Sequence, residues 1–163
     1  MKHSLFVFVT LFALGVALVA QKKSSGVTTE MLTTPPPEDW LMYSRTYDAQ
    51  RYSPLEFINR QNVSQLKTAW TKQLGTGNHE GIPIVSSGVM YLIEPGAAVE
   101  ALNAATGDVI WEYKRDTTLP SRSKTLAVYR DMVYYTAPDG FIVALEAATG
   151  KVRWETKTDG GMT

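Results

Sequence analysis

The stretch GTGNHEG (75–81) brings together two close glycines, His79 and Glu80, residue types that often do chemistry. A glycine-rich loop of this kind binds dinucleotides when it follows the G-x-G-x-x-G spacing and opens a helix. Here that spacing is absent and the loop leads into a strand at Pro83, so we expect no nucleotide site. His79 is interpreted as a loop residue, because the only other histidine, His3, lies in an N-terminal leader.

Several classes of site are excluded by composition. The chain has no cysteine and two histidines, which rules out disulfides, thiolate metal sites, a cysteine nucleophile and a zinc site built on several histidines. Sixteen basic and sixteen acidic residues cancel, and no block of like charge stands out. We therefore expect no nucleic-acid partner.

Residues 1–20 have the pattern of a secretory signal peptide. Lys2 and His3 precede an apolar run from Leu5 to Ala20, and polar residues begin at Gln21. Cleavage is expected after Ala20, and the alternative is an uncleaved membrane anchor. Both interpretations place the folded part outside the cytoplasm, in the periplasm or exported, with membrane association left open.

Two segments follow the leader. Residues 21–38 are polar and contain three consecutive prolines, which predicts a linker with too little apolar surface to order itself. Residues 39–70 are rich in aromatic side chains and are interpreted as an entry segment that packs against the domain that follows. Within it, residues 62–66 are expected to form a short helical turn.

From residue 71 to 163 the chain is predicted to be all-β. Short β-rich runs alternate with turn residues, among them Ser87-Gly88, Arg130-Asp131, Thr106-Gly107 and Thr149-Gly150. The phrases ALNAATGDVIW (101–111) and ALEAATGKVRW (144–154) repeat at an offset of 43 residues, and the match extends without a gap over neighbouring positions. This period fits four strands of ~5–6 residues with their loops.

Four-stranded units repeated around an axis predict a β-propeller. The repeat units lie near residues 71–114 and 115–157, and Trp70 marks the end of an earlier unit. Only two to three blades fit in this length, whereas ~4–8 close a propeller. We therefore interpret the sequence as a fragment of a longer protein.

The repeated phrase resembles the tryptophan-docking motif of the quinoprotein alcohol dehydrogenases, eight-bladed propellers that use pyrroloquinoline quinone (PQQ). Residues 39–70 are similar to the entry segment of the methanol and ethanol dehydrogenase branch, including RYSPL (51–55) and INRQNV (58–63). The resemblance covers residues 39–163. It implies oxidation of an alcohol by hydride transfer to PQQ, with electrons passed to a cytochrome or a membrane quinone.

The resemblance also implies which residues contact the cofactor. Glu80 stands where the family has a cofactor-contacting glutamate, and Arg122 is the candidate for a family arginine, with Lys124 as the alternative. Thr163 matches a family threonine that touches PQQ. The vicinal cysteines that the family usually carries are missing from residues 117–129, which puts substrate preference and electron handling in doubt.

The resemblance implies a calcium ion that acts as a Lewis acid beside the quinone, and an aspartate that takes the alcohol proton. No residue in 1–163 matches the calcium ligands or that aspartate, so both are expected downstream. The alternative function is a non-catalytic propeller of the same repeat, serving as a protein-binding scaffold of the cell envelope.

Overall fold

The computed structural model describes residues 26–119, 124 and 126–158 of the 163-residue chain. Within these residues the strands form two antiparallel four-stranded sheets in sequential order, which confirms the all-β prediction and its blade-like units. In chain order the strands are β1 (Ile84–Ser86), β2 (Val89–Glu94), β3 (Ala98–Asn103), β4 (Val109–Lys114), β5 (Ala127–Tyr129), β6 (Met132–Thr136), β7 (Phe141–Glu146) and β8 (Val152–Lys157).

The sequence repeat is a structural repeat. The register between β3 and β4 shifts between Ala101 and Leu102, and the register between β7 and β8 shifts between Ala144 and Leu145, 43 residues later. A tyrosine packs against the tryptophan of its own sheet at ring-centroid distances of 5.9 Å in the first sheet and 6.0 Å in the second. Both sheets are therefore copies of one unit.

The predicted turn residues adopt the backbone conformation that their types favour. Gly107 and Gly150 have φ values of 78° and 69°, a left-handed region that glycine enters without a Cβ penalty. Ser87 and Arg130, at the two predicted hairpins, have φ values of 50° and 54°. These hairpin positions are confirmed.

A tryptophan joins each unit to the next. The Trp111 indole Nε1 donates to the Ala147 carbonyl at 2.9 Å, and the ring lies against Gly150, where an added Cβ would come within 2.7 Å of ring atom Cδ2. Trp70 makes the same contacts with the first sheet, donating to the Ala104 carbonyl at 3.1 Å and covering Gly107. The glycine of the Thr-Gly turn is needed because the indole occupies the space of a side chain.

The segment from residue 26 to residue 38 differs from the predicted linker. Val27 is 4% exposed and pairs with Arg130, and helix α1 (Thr29–Thr33) follows it directly. Met31 and Leu32 pack against the core. The polar composition of residues 21–38 did not predict this order. Three apolar side chains, those of Val27, Met31 and Leu32, are enough to hold a short segment against an existing sheet.

The core is continuous across both sheets. Its largest fully buried side chains come from β1, β3, β6 and β7 and from the segment before β1: Tyr135, Leu41, Ile84, Leu102, Leu145, Val99, Val133 and Val143. Outside the sheets, a 3-10 helix at Val63–Gln65 confirms the predicted helical turn. No helix in the part of the chain that the structure describes has the length and apolar character to cross a membrane.

Candidate functional site

Glu80 and Lys124 meet in the structure. Each lies in the loop that precedes the first strand of its sheet, Glu80 before β1 and Lys124 before β5. The Lys124 ammonium Nζ is 2.9 Å from Glu80 Oε2, and the Ile82 amide donates to the Lys124 carbonyl at 2.9 Å. One side-chain and one backbone contact therefore tie the two loops together.

Each group of this ion pair favours the charged form of the other. The hydrogen bond and the positive charge of Lys124 lower the pKa of the Glu80 carboxyl below its ordinary value. The hydrogen bond from Lys124 to Glu80, with the charge of that carboxylate, raises the pKa of the Lys124 ammonium. Both groups are ionised at neutral pH.

The pair remains open to solvent. The Glu80 side chain is 56% exposed and the Lys124 side chain is 67% exposed. A lysine ammonium has three donors, and the structure directs one of them to Glu80. An anion such as a carboxylate can therefore approach Lys124 while Glu80 stays paired.

Of the four residues assigned to the cofactor, two lie among the described residues. Arg122 and Thr163 lie outside them. Among the described residues, the candidate cation Lys124 lies beside Glu80. The assignment of these residues to a cofactor stays a prediction.

The sequence alone treated Glu80 and Lys124 as separate candidates. The two positions differ by 44 residues, one more than the repeat, and both lead into the first strand of a sheet. Superimposing the repeat units would have placed both residues at the same end of neighbouring blades. The offset between Glu80 and Lys124 could therefore have been used to predict their contact from the sequence.

His79 is held within its own loop. Its Nε2 lies 2.6 Å from the Gly75 carbonyl oxygen, and the Gly75 amide donates to Glu94 Oε2 at 3.0 Å. The loop continues into β1 rather than into a helix, as the sequence predicts. Across residues 26–119, 124 and 126–158, no three histidine or acidic side chains come together as a metal site would require.

Comparison with known proteins agrees with this architecture. Residues 40–129 match the family model described as "PQQ: Glucose/ethanol/alcohol dehydrogenase, beta-propeller domain". Over 78 residues the chain is 49% identical to the dehydrogenase subunit of the quinone alcohol dehydrogenase of Gluconobacter oxydans, covering 47% of this chain and 10% of that protein. Over 140 residues it is 30% identical to the quinoprotein alcohol dehydrogenase PedH of Pseudomonas putida, covering 78% of this chain and 23% of that protein.

Solved structures show the same relationship. The quinohemoprotein alcohol dehydrogenase ADHIIG of Pseudomonas putida HK5 superimposes with a TM-score of 0.74 at 35% identity, covering 83% of this chain and 21% of that one. A europium-containing methanol dehydrogenase superimposes with a TM-score of 0.69 at 32% identity, covering 76% and 24%. The chain thus spans less than a quarter of these relatives, and it belongs to the PQQ-dependent alcohol dehydrogenase family, within the β-propeller domain.

Proposed function

We propose that this chain is the N-terminal part of an exported quinoprotein dehydrogenase that oxidises a primary alcohol or a similar substrate. PQQ, when bound, supplies the quinone that accepts a hydride from the alcohol. The observation that carries the proposal is the Glu80–Lys124 ion pair, which joins the loops before β1 and β5 within a segment that matches the family.

The residues of this chain bind and orient the cofactor rather than react. PQQ is a tricarboxylate, and the Lys124 ammonium offers donors to one of its carboxylates. Glu80 keeps that ammonium charged and fixes its direction through the 2.9 Å contact. Lys124 and Glu80 would hold one carboxylate of the quinone, the ammonium as donor and the Glu80 carboxylate as the partner that keeps it charged.

The remaining parts of the reaction are proposed to lie in later blades. These are a Ca²⁺ ion as Lewis acid, its carboxylate and amide ligands, and the aspartate that takes the alcohol proton. This chain alone is therefore expected to be inactive. Export follows from the signal-like residues 1–20 and makes the periplasm the proposed location.

The electron acceptor is proposed to be a cytochrome or a membrane quinone. One relative is named as a quinone-linked alcohol dehydrogenase subunit and another as a cytochrome c-linked methanol dehydrogenase subunit. The two names support the two acceptor classes equally.

The test uses the longer protein that contains this segment, supplied with PQQ and with either Ca²⁺ or a lanthanide ion. We expect dye-linked oxidation of at least one primary alcohol in a panel, together with quinone absorbance from the bound cofactor. No turnover and no bound quinone would instead identify a scaffold propeller.

A second measurement tests the site. Lys124→Gln should weaken PQQ binding about 10- to 100-fold, the range for losing a charge-assisted hydrogen bond. Lys124→Arg should restore most of the affinity, and Lys151→Gln, which changes an exposed lysine just before β8, should leave it unchanged. Equal affinities for Lys124→Gln and the parent protein would remove Lys124 from the site.

A further inference from the structure

The first strand of each sheet leaves one edge unpaired by its own sheet. The sheet orders are β1-β2-β3-β4 and β5-β6-β7-β8, so β1 and β5 are edge strands. An exposed edge presents backbone donors and acceptors that can pair with other chains. Residues 26–45, here called the strap, cover part of both edges.

One end of the strap adds to the end of β5. The Val27 amide donates to the Arg130 carbonyl at 2.8 Å, and the Arg130 amide donates back to the Val27 carbonyl at 2.7 Å. Gly26 lies so close to Arg130 that a Cβ at position 26 would overlap the Arg130 carbonyl group. The contact therefore requires glycine at position 26.

The other end of the strap adds to β1. The Trp40 amide donates to the Val85 carbonyl at 2.8 Å, and the Val85 amide donates to the Trp40 carbonyl at 2.9 Å. Beside this pair, Asp39 Oδ1 accepts a hydrogen bond from the Ser87 amide at 2.8 Å. This end is buried, since Asp39 is 3% exposed and Leu41 is 1% exposed.

The chain between the two ends is short and stiff. It consists of α1, whose N-terminus is capped by Thr28 Oγ1 accepting from the Met31 amide, followed by prolines 35–37. The guanidinium of Arg45, itself 8% exposed, donates to the carbonyls of Pro35 and Pro36 at 3.3 Å. Proline fixes φ, so little slack separates Val27 from Trp40.

We propose that the strap is a two-point clamp that locks the free edges of β1 and β5 to each other. Its two ends open together, so that losing the contact at Arg130 also exposes the edge at Val85. The clamp acts on the same two strands whose preceding loops carry Glu80 and Lys124.

Amide hydrogen exchange, followed residue by residue in the full 163-residue chain, tests the coupling. The informative amides are those of Arg130 and Val85, because both donate to the strap. Gly26→Val breaks the β5 contact directly, and we expect exchange to rise about tenfold at both amides, as for one cooperative opening unit. Thr34→Ala, an exposed position between the two contacts, is the control and should change neither.

A variant at the other end gives the reciprocal experiment and does not depend on Gly26→Val folding. Asp39→Ala removes the acceptor for the Ser87 amide and should speed exchange at Arg130 as well as at Val85. Faster exchange confined to the mutated end, in either variant that retains the near-ultraviolet circular dichroism of the parent chain, would overturn the proposal. The contacts at Arg130 and Val85 would then open independently of each other.

Discussion

At the scale of single residues, burial decides whether an ionisable side chain is neutral or charged. Burial raises the pKa of the Tyr91 phenol to about 12, because the phenolate would lose its hydration among core side chains. Its hydroxyl therefore stays a donor, and it lies 3.3 Å from the Ala147 carbonyl of the second sheet. Glu80 and Lys124, by contrast, form an ion pair that is exposed to solvent.

Asp39 gives a prediction at this scale. Burial raises its pKa, opposed by the hydrogen bond from Ser87. A raised carboxyl pKa means that the folded state holds the proton more tightly than the unfolded state, so stability falls as pH rises through the folded pKa. Asp39→Asn keeps an acceptor for the Ser87 amide and removes the charge, so it should raise the free energy of unfolding at pH 7.

The measurement is urea unfolding at pH 7 and at pH 3. The advantage of Asp39→Asn should shrink toward pH 3, where the parent carboxyl is protonated. Asp116→Asn, a change at an exposed position, is the control and should leave the free energy of unfolding at pH 7 within about 0.5 kcal/mol of the parent value. An Asp39→Asn variant that is less stable than the parent at pH 7 would contradict the assignment.

At the scale of elements, the sequence predicted the repeat but not the ordered strap. The Thr-Gly turns, the hairpins at Ser87 and Arg130, and the four-stranded units follow from turn chemistry and a 43-residue offset. The strap was misread because its order comes from edges that β1 and β5 provide, not from its own composition. Likewise, the sequence names Glu80 and Lys124, but their contact depends on how neighbouring sheets are placed.

Docking of tryptophan on a turn glycine gives the second prediction. Gly150→Ala places a Cβ in the left-handed region and against the Trp111 ring, so it should destabilise the chain by about 2–4 kcal/mol through backbone strain and overpacking. Gly88→Ala is the matched control, because Gly88 also has a positive φ of 80° but nothing lies within 4 Å of an added Cβ.

Urea unfolding of the two variants separates the effects. Gly88→Ala should cost about 1 kcal/mol, the backbone strain alone. The difference between the two losses in free energy of unfolding measures the cost of overlap between the added Cβ and the Trp111 indole. Equal losses would show that the tryptophan contact contributes nothing beyond the turn.

At the scale of the whole molecule, Arg115 joins the two sheets where β4 ends. Its Nε lies 2.7 Å from Asp139 Oδ2, its Nη1 lies 2.9 Å from Glu155 Oε2, and its Cζ lies 4.5 Å from the Phe141 ring centroid. The repeat places Thr158 at the equivalent position of the second unit, so the arginine is not shared by the two repeat units. Sequence periodicity does not reveal such a contact, because it departs from the repeat.

Arg115→Ala should therefore weaken the association of the sheets. The guanidinium is 11% exposed, and its removal leaves both Asp139 carboxylate oxygens without the Nε donor that they share, which should cost about 1–3 kcal/mol. Arg153→Ala is the control, because Arg153 pairs with Glu146 within one sheet at 54% exposure, where such pairs contribute about 0–1 kcal/mol. Equal losses for the two variants in urea unfolding would argue against Arg115 as the inter-sheet contact.

The two repeat tryptophans differ in a way that an optical experiment can use. Trp111 is 8% exposed beneath the turn of the following sheet, whereas Trp154, at the same position of the second sheet, is 43% exposed. An indole that leaves water emits at shorter wavelength. If a third sheet packs against the second, as the next blade of a propeller does, the emission of Trp154 should shift to the blue, so this side chain would report that packing.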